Sequence, residues 1–576
     1  MLDLRIDNAT LIDGSGAPRR HGALGVTDGR IVAVGAVPEA AARTIDAGGR
    51  VLAPGFIDIH THYDAQVFWD PTLAPSSHYG ITTIVGGNCG FSVAPLAGSG
   101  TGDYLMRMLS RVEGMPLESL QACSDWGWSG FGEYLDRFDG RLAINAAFMV
   151  GHSALRRSAM GPRANTDAAT PADLARMQAL LRESLASGGM GFSTTISPAH
   201  SDPDGNPVPS RLADRAELLA LAGVVRDFPG TSIEFSLDVQ QPFTPEQMQL
   251  MTDISLAAGR PLNWNALLPS ARAPELFRAQ LAASDYAAQQ GARVLPLVVV
   301  KPGDLRLNFT SCFVLDILPG WAEILHVPKA ERMRALSDPS VRAMLRAGAE
   351  EAPPNQRATL ANFHEWTLGE TFSPDTRPHQ GKVLGDVARA AGKTPLDMML
   401  DIALADELKT TFVLPRRHND AESWRVRSEV WRDPRALIGA SDAGAHLDMT
   451  DSFAFFPQLL SIGVREKQLI GLEDAVRQIT SRPAQLMGFS DRGELKPGYR
   501  ADLVIFDPDT VGHGPLHMRF DLPAGAGRLF AEATGVGHVI VSGTEIFRDG
   551  WFQGVFPGRA LRSGRDSRTP PMREAG

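Results

Sequence analysis

Eight short apolar runs separated by helical stretches constrain the fold of this chain more than any other feature. They are Gly55–His60, Thr82–Gly86, Ile144–Gly151, Gly189–Thr194, Ser232–Leu237, Pro261–Leu267, Val294–Val300 and Ala436–Ser441. A strand that is apolar on both faces belongs to a parallel sheet covered by crossover helices. Eight such units close a ring, so the sequence predicts an α/β fold, a (β/α)8 TIM-like barrel. The intervening helices carry their own signals. Thr170 is placed as an N-cap, Pro171 at the first helical position and Gly188-Gly189 beyond the end.

The two ends of the chain have a different texture. Residues 1–54 alternate short β-rich runs with Gly and Asp turns, with Asp28-Gly29 as a hairpin turn. The same texture returns in Ala501–Asp507 and Gly537–Gly550. Residues 1–54 and 495–576 are therefore expected to pair into a small β-sandwich domain, with the barrel at 55–494. A large insertion around 303–435 separates the seventh and eighth strands, where barrel enzymes carry substrate-selecting loops. The polar tail from about 562 is expected to be loose.

Strand side chains alternate, so His60 and His62 point the same way at the end of the first strand, where barrel active sites sit. Two imidazoles there suit zinc and similar metals. Asp442 ends the eighth strand, which ring closure brings beside the first. It can ligate a metal or move a proton from an activated water. Cys89, in the Gly-rich turn Gly86–Gly90, offers a thiolate, a strong zinc ligand. His152 and Arg156 after the third strand, and His446 after the eighth, are candidate substrate-binding groups. Glu234, Asn263, Asn265 and Lys301 are further polar residues at or near strand ends.

The net charge of -10 argues against a broad grip on nucleic acid or an anionic membrane. No apolar stretch is long enough to span a bilayer, and three cysteines do not make a disulfide framework. A cytoplasmic protein acting on a small molecule is expected, and a homo-oligomer is compatible with it.

The segments Pro54–Asp64, Gly80–Pro95, Val150–Arg156, Gly439–His446 and Arg492–Asp507 resemble the amidohydrolase superfamily, in its N-acyl-D-amino-acid deacylase (D-aminoacylase) branch. The resemblance covers both termini and most of the barrel. It implies a metal-dependent barrel that hydrolyses the N-acyl amide of D-amino acids. It also implies a metal set of His60, His62, Cys89 and Asp442, plus one histidine from each of the fifth and sixth strands. Neither Ser232–Asp238 nor Pro261–Leu267 contains a histidine, and Gly191–Ser197 lacks the superfamily's carboxylated lysine. The expectation is therefore one zinc ion rather than two, with Asp442 as general base and then acid. The alternatives are hydrolysis of a cyclic amide, lactone or ester on the same fold, or a degenerate scaffold that binds a ligand without turnover.

Overall fold

The computed structural model describes residues 1–123, 125–312 and 314–573. Each of the eight apolar runs coincides with a strand to within a few residues: Phe56–Asp58, Ile81–Gly86, Asn145–Phe148 with Val150–Gly151, Gly191–Thr195, Ser232–Ser236, Leu262–Leu267, Val294–Val298 and Leu437–Ile438. We number them one to eight. All pair in parallel with their sequence neighbours. The third strand is broken at Met149. Its first half pairs with strand two and its second half with strand four. A parallel bridge from Thr61 to Ala443 links the end of strand one to the end of strand eight.

Helices pack against these strands, and the Thr170 cap forms as the sequence predicts. Thr170 Oγ1 accepts from the Asp173 backbone at 3.2 Å, and the Asp173 carboxylate takes the Thr170 backbone N–H in return. Satisfying two otherwise orphaned donors fixes where Pro171–Ala186 begins.

Strands from both chain ends share one nine-stranded sheet. The five strands from Leu2–Leu11 to Val51–Pro54 are joined by Leu503–Phe506, Val536–Val541, Thr544–Arg548 and Trp551–Phe552. The junction is the antiparallel pairing of Leu503–Phe506 with Val51–Pro54. Asp28 and Gly29 both have positive φ, 49° and 70°, as a two-residue turn between right-twisted strands requires.

The interval after strand seven has a core of its own. Leu307, Trp321, Leu345, Trp366, Leu400 and Phe412 cluster apart from the main core, beside a three-stranded sheet. Leu414 N donates to Leu305 O at 3.0 Å, so this unit leaves and rejoins the rest of the chain at one place. The helix Ala421–Trp431, inside the interval read as insertion, packs instead on the main core through Trp424, Val430 and Trp431.

The expectation of a loose tail needs correction up to Thr569. Ser567 Oγ donates to Gly230 O at 2.6 Å, Gly230 N donates to Thr569 Oγ1 at 3.2 Å, and Arg562 reaches Ser187 O at 2.8 Å. A polar segment can be held by backbone carbonyls that it satisfies, which composition does not reveal.

Candidate metal centre

The backbone builds the mouth of the ring before any side chain matters. Asp442 N donates to His60 O at 3.1 Å and His62 N to Ala443 O at 2.8 Å, so strands one and eight are laced together at their ends. Ser441 Oγ adds bonds to Asp58 Oδ1 and His60 O at 2.8 and 2.9 Å. Asp442 has φ +63°, an uncommon conformation for a residue with a side chain and one that recurs at functional sites. Gly444 follows at φ +92°, and a Cβ there would lie 2.9 Å from the His62 carbonyl carbon.

The turn after strand two is also left-handed. Gly87, Cys89 and Gly90 have φ of 75°, 56° and 74°. A Cβ on Gly87 would sit 2.3 Å from Met149 O, so only glycine lets this turn lie against the third strand. Ser193 Oγ clamps the turn by donating to Gly87 O and accepting from Gly90 N.

These two turns bring four of the expected ligands together. His62 Nε2 lies 3.0 Å and His60 Nε2 3.7 Å from Asp442 Oδ1, and Cys89 Sγ lies 3.6 Å from His60 Nε2. Both histidines are about 1% exposed. His60 Nδ1 and both ring nitrogens of His62 lack a well-formed hydrogen bond. His446 is adjacent, its Nε2 4.0 Å from Asp442 Oδ2.

Strands five and six supply oxygen and amide groups where the resemblance implies histidines. Glu234 Oε2 accepts from Cys89 N at 2.8 Å, Ser236 Oγ donates to Cys89 Sγ at 3.2 Å, and Asn265 Nδ2 lies 3.2 Å from His60 Nε2. Ser236 Oγ is also 3.0 Å from Asn265 Oδ1, which joins the two strands behind the thiol. Asn263 instead donates to Ile233 O, and Lys301 is paired with Asp304 and Asp451 at 2.7 and 2.9 Å.

The electrostatics are those of a largely buried, donor-rich pocket. Burial pushes the Cys89 thiol up to about 12 and the Glu234 carboxyl to about 8, and lowers His60 to about 3. For Asp442 burial acts upward, but the hydrogen bond and charge of His62 outweigh it and hold the carboxyl below its usual range. Such groups bury charge at high cost unless a cation joins them. Donors from His60, His62 and Cys89 lie within 4.8 Å of one another, as do those from His62, Glu113 and Asp442. Imidazole, thiolate and carboxylate converging in this way fit a divalent metal such as zinc.

The donors line a cavity of about 230 Å³. Beside it lies a second cavity of about 520 Å³, walled largely by apolar groups such as Leu268, Leu276, Leu414 and Phe455. Asp442 borders both, so it stands between the donor cluster and a chamber able to take a small molecule.

His152 and Arg156 do not reach either cavity. His152 Nε2 contacts Glu217 Oε1 at 2.8 Å, and Arg156 Nη1 contacts both Glu217 oxygens at 2.7 and 2.5 Å, all three residues being buried. His152 Nδ1 turns to Thr194 at 2.8 Å. The structure places these two expected substrate-binding groups in an ion-paired cluster behind strand four, held by a carboxylate on helix Arg215–Val225. Two residues with no local sequence signal do line the donor cavity: Glu113, at the end of helix Thr101–Val112, and His200, in the loop after strand four.

A family model described as the amidohydrolase family matches residues 43–547, and the chain belongs to that family. It is 28% identical to a D-aminoacylase of Alcaligenes xylosoxydans xylosoxydans over 97% of this chain and 97% of that one. Among solved structures it resembles an N-acyl-D-glutamate deacylase of Bordetella bronchiseptica complexed with zinc and a phosphonate inhibitor that mimics the tetrahedral intermediate. The TM-score is 0.64 and the identity 26%, over 98% of this chain and 100% of that one. A D-aminoacylase whose binuclear centre is described by one-metal activation and second-metal attenuation aligns with the same TM-score, identity and coverage. The resemblance carried by the sequence motifs thus extends over nearly the whole chain.

Proposed function

We propose that this protein is a hydrolase of the N-acyl amide bond of D-amino acids, dependent on one divalent metal ion, zinc by the chemistry of its donors. The observation that carries this is the convergence of His60 Nε2, His62 Nε2, Cys89 Sγ and Asp442 Oδ1 at the strand ends. The ring of parallel strands is read as a (β/α)8 barrel, with residues 1–54 and 495–576 as the accompanying β-domain. His60, His62 and Cys89 would hold the ion, with Asp442 at its edge. A metal ion bound there supplies Lewis acidity, which lowers the pKa of a water towards about 7 and polarises a carbonyl.

The remaining chemistry belongs to the chain. The apolar chamber takes the acyl or side-chain part of the substrate and leaves its amide beside Asp442. The Asp442 carboxylate, ionised at neutral pH, takes a proton from the attacking water and returns it to the departing nitrogen. His446, beside Asp442, can hold a polar substrate group. The bonds behind Cys89 from Ser236 and Asn265 keep the thiol fixed. Support for a D-amino acid substrate comes from the names of the relatives, and support for one ion from the absence of histidine on strands five and six. A cytoplasmic setting suits three cysteines that are all free.

The test is metal analysis of purified protein combined with hydrolysis of paired N-acetyl-D- and N-acetyl-L-amino acids. Asp442→Asn is expected to keep the metal and to lose about 10²–10⁴ in kcat, the range for a general base. Metal-free protein that hydrolyses these amides, or an Asp442→Asn variant as active as the parent, would refute the reading.

A further inference from the structure

Glu113 follows the last turn of helix Thr101–Val112 and is only 3% exposed. Its backbone carbonyl accepts from His446 N at 2.5 Å, which ties this loop to the one after strand eight. The carboxylate faces His62, with Oε1 3.4 Å from Nδ1. A buried carboxylate is costly to keep unless it is paired, and the group 3.4 Å from this one is an imidazole at the heart of the donor cluster.

The two nitrogens of His62 have separate partners. Nε2 faces Asp442 at 3.0 Å and Nδ1 faces Glu113. A neutral imidazole offers a lone pair at one nitrogen only when the other carries the proton, and the partner of that proton fixes tautomer and ring direction. We infer that Glu113 is a positioning residue for the metal centre: when an ion is held, its carboxylate closes the 3.4 Å approach to accept the Nδ1–H of His62, so that the Nε2 lone pair points at His60, Cys89 and Asp442. This rests on the metal-dependent reading proposed above. Glu113 as a direct ligand is the competing arrangement, since its oxygen also lies within 4.8 Å of donors from His62 and Asp442. That arrangement would draw His62 through Nδ1 and forgo the nitrogen facing Asp442.

The experiment uses Co²⁺ as the probe on metal-stripped full-length protein, with affinity from competition titration and donor identity from the visible spectrum. Glu113→Ala is expected to bind Co²⁺ about 10–100-fold more weakly, with the thiolate-to-cobalt and d–d bands of the loaded protein unchanged. Glu113→Gln, which keeps an acceptor oxygen in nearly the same shape, should recover part of that affinity and guards against a folding defect in the alanine variant. Equal affinity in parent and both variants overturns the inference while leaving the metal reading intact. A changed band pattern in loaded Glu113→Ala overturns positioning in favour of direct ligation. A parent protein that takes up no Co²⁺ removes the metal reading itself, and the inference with it.

Discussion

Cys89 and Glu217 illustrate two ways a buried ionisable group is satisfied in this protein. Cys89 sits among donors that a cation would complete, so Cys89→Ser should lower metal affinity while the polypeptide remains folded, as calorimetric titration would show. Glu217 already has its partners in His152 and Arg156. Glu217→Ala leaves the Arg156 guanidinium buried without its carboxylate, and the expected cost is about 3–5 kcal/mol in urea unfolding. Activity per folded molecule should change little, in contrast to what a substrate-binding His152 and Arg156 would give. The pairing also sets a pH dependence. The folded pKa of Glu217 lies below its ordinary 4.5 because His152 and Arg156 outweigh the opposing effect of burial. Its contribution to stability is therefore complete above that ordinary value and is lost as pH falls through the lower folded one, which Glu217→Gln should abolish in acid-unfolding curves.

At the scale of elements, the turns decide what the side chains can do. Gly87→Ala would place a non-glycine residue at φ +75° against Met149 O. The positive φ alone costs about 1–3 kcal/mol, and displacement of the turn should weaken metal binding along with stability, read by thermal unfolding with and without zinc. Much of this level is legible in the sequence. His60 and His62 are two apart on a strand and declare their common direction by alternation, and Asp28-Gly29 and Thr170 declare a turn and a cap. Glu113 and His200 are not legible. They lie in connecting segments, and only packing brings a carboxylate at a helix end to the far nitrogen of His62. His152 and Arg156 look the same in sequence whether they face a cavity or Glu217, because the deciding carboxylate sits on a different helix. Ser567 was equally opaque, since its partner is a backbone carbonyl.

At the scale of the whole molecule, metal binding is expected to stabilise the fold. A ligand bound only by the folded state raises stability by about 2.7 kcal/mol at one hundred times its dissociation constant. Stripping the metal with a chelator should therefore lower the melting temperature, and zinc restore it in a concentration-dependent way. No helix among the described residues is long and apolar enough to cross a membrane.

The hydrogen bond between Leu414 N and Leu305 O has a further consequence. To the parallel strands, the hundred or so residues between them are topologically equivalent to a tight turn, because chain closure depends on the end points and hardly on the length enclosed. The unit can therefore be exchanged like a cartridge, altering one wall of the chamber through Leu305 and Leu414 while the strands that hold His60, His62 and Asp442 keep their register. Joining residues 305 and 414 by a short Gly-containing linker should give a protein that still folds and binds zinc but ranks substrates differently, as circular dichroism, metal titration and a substrate panel would reveal.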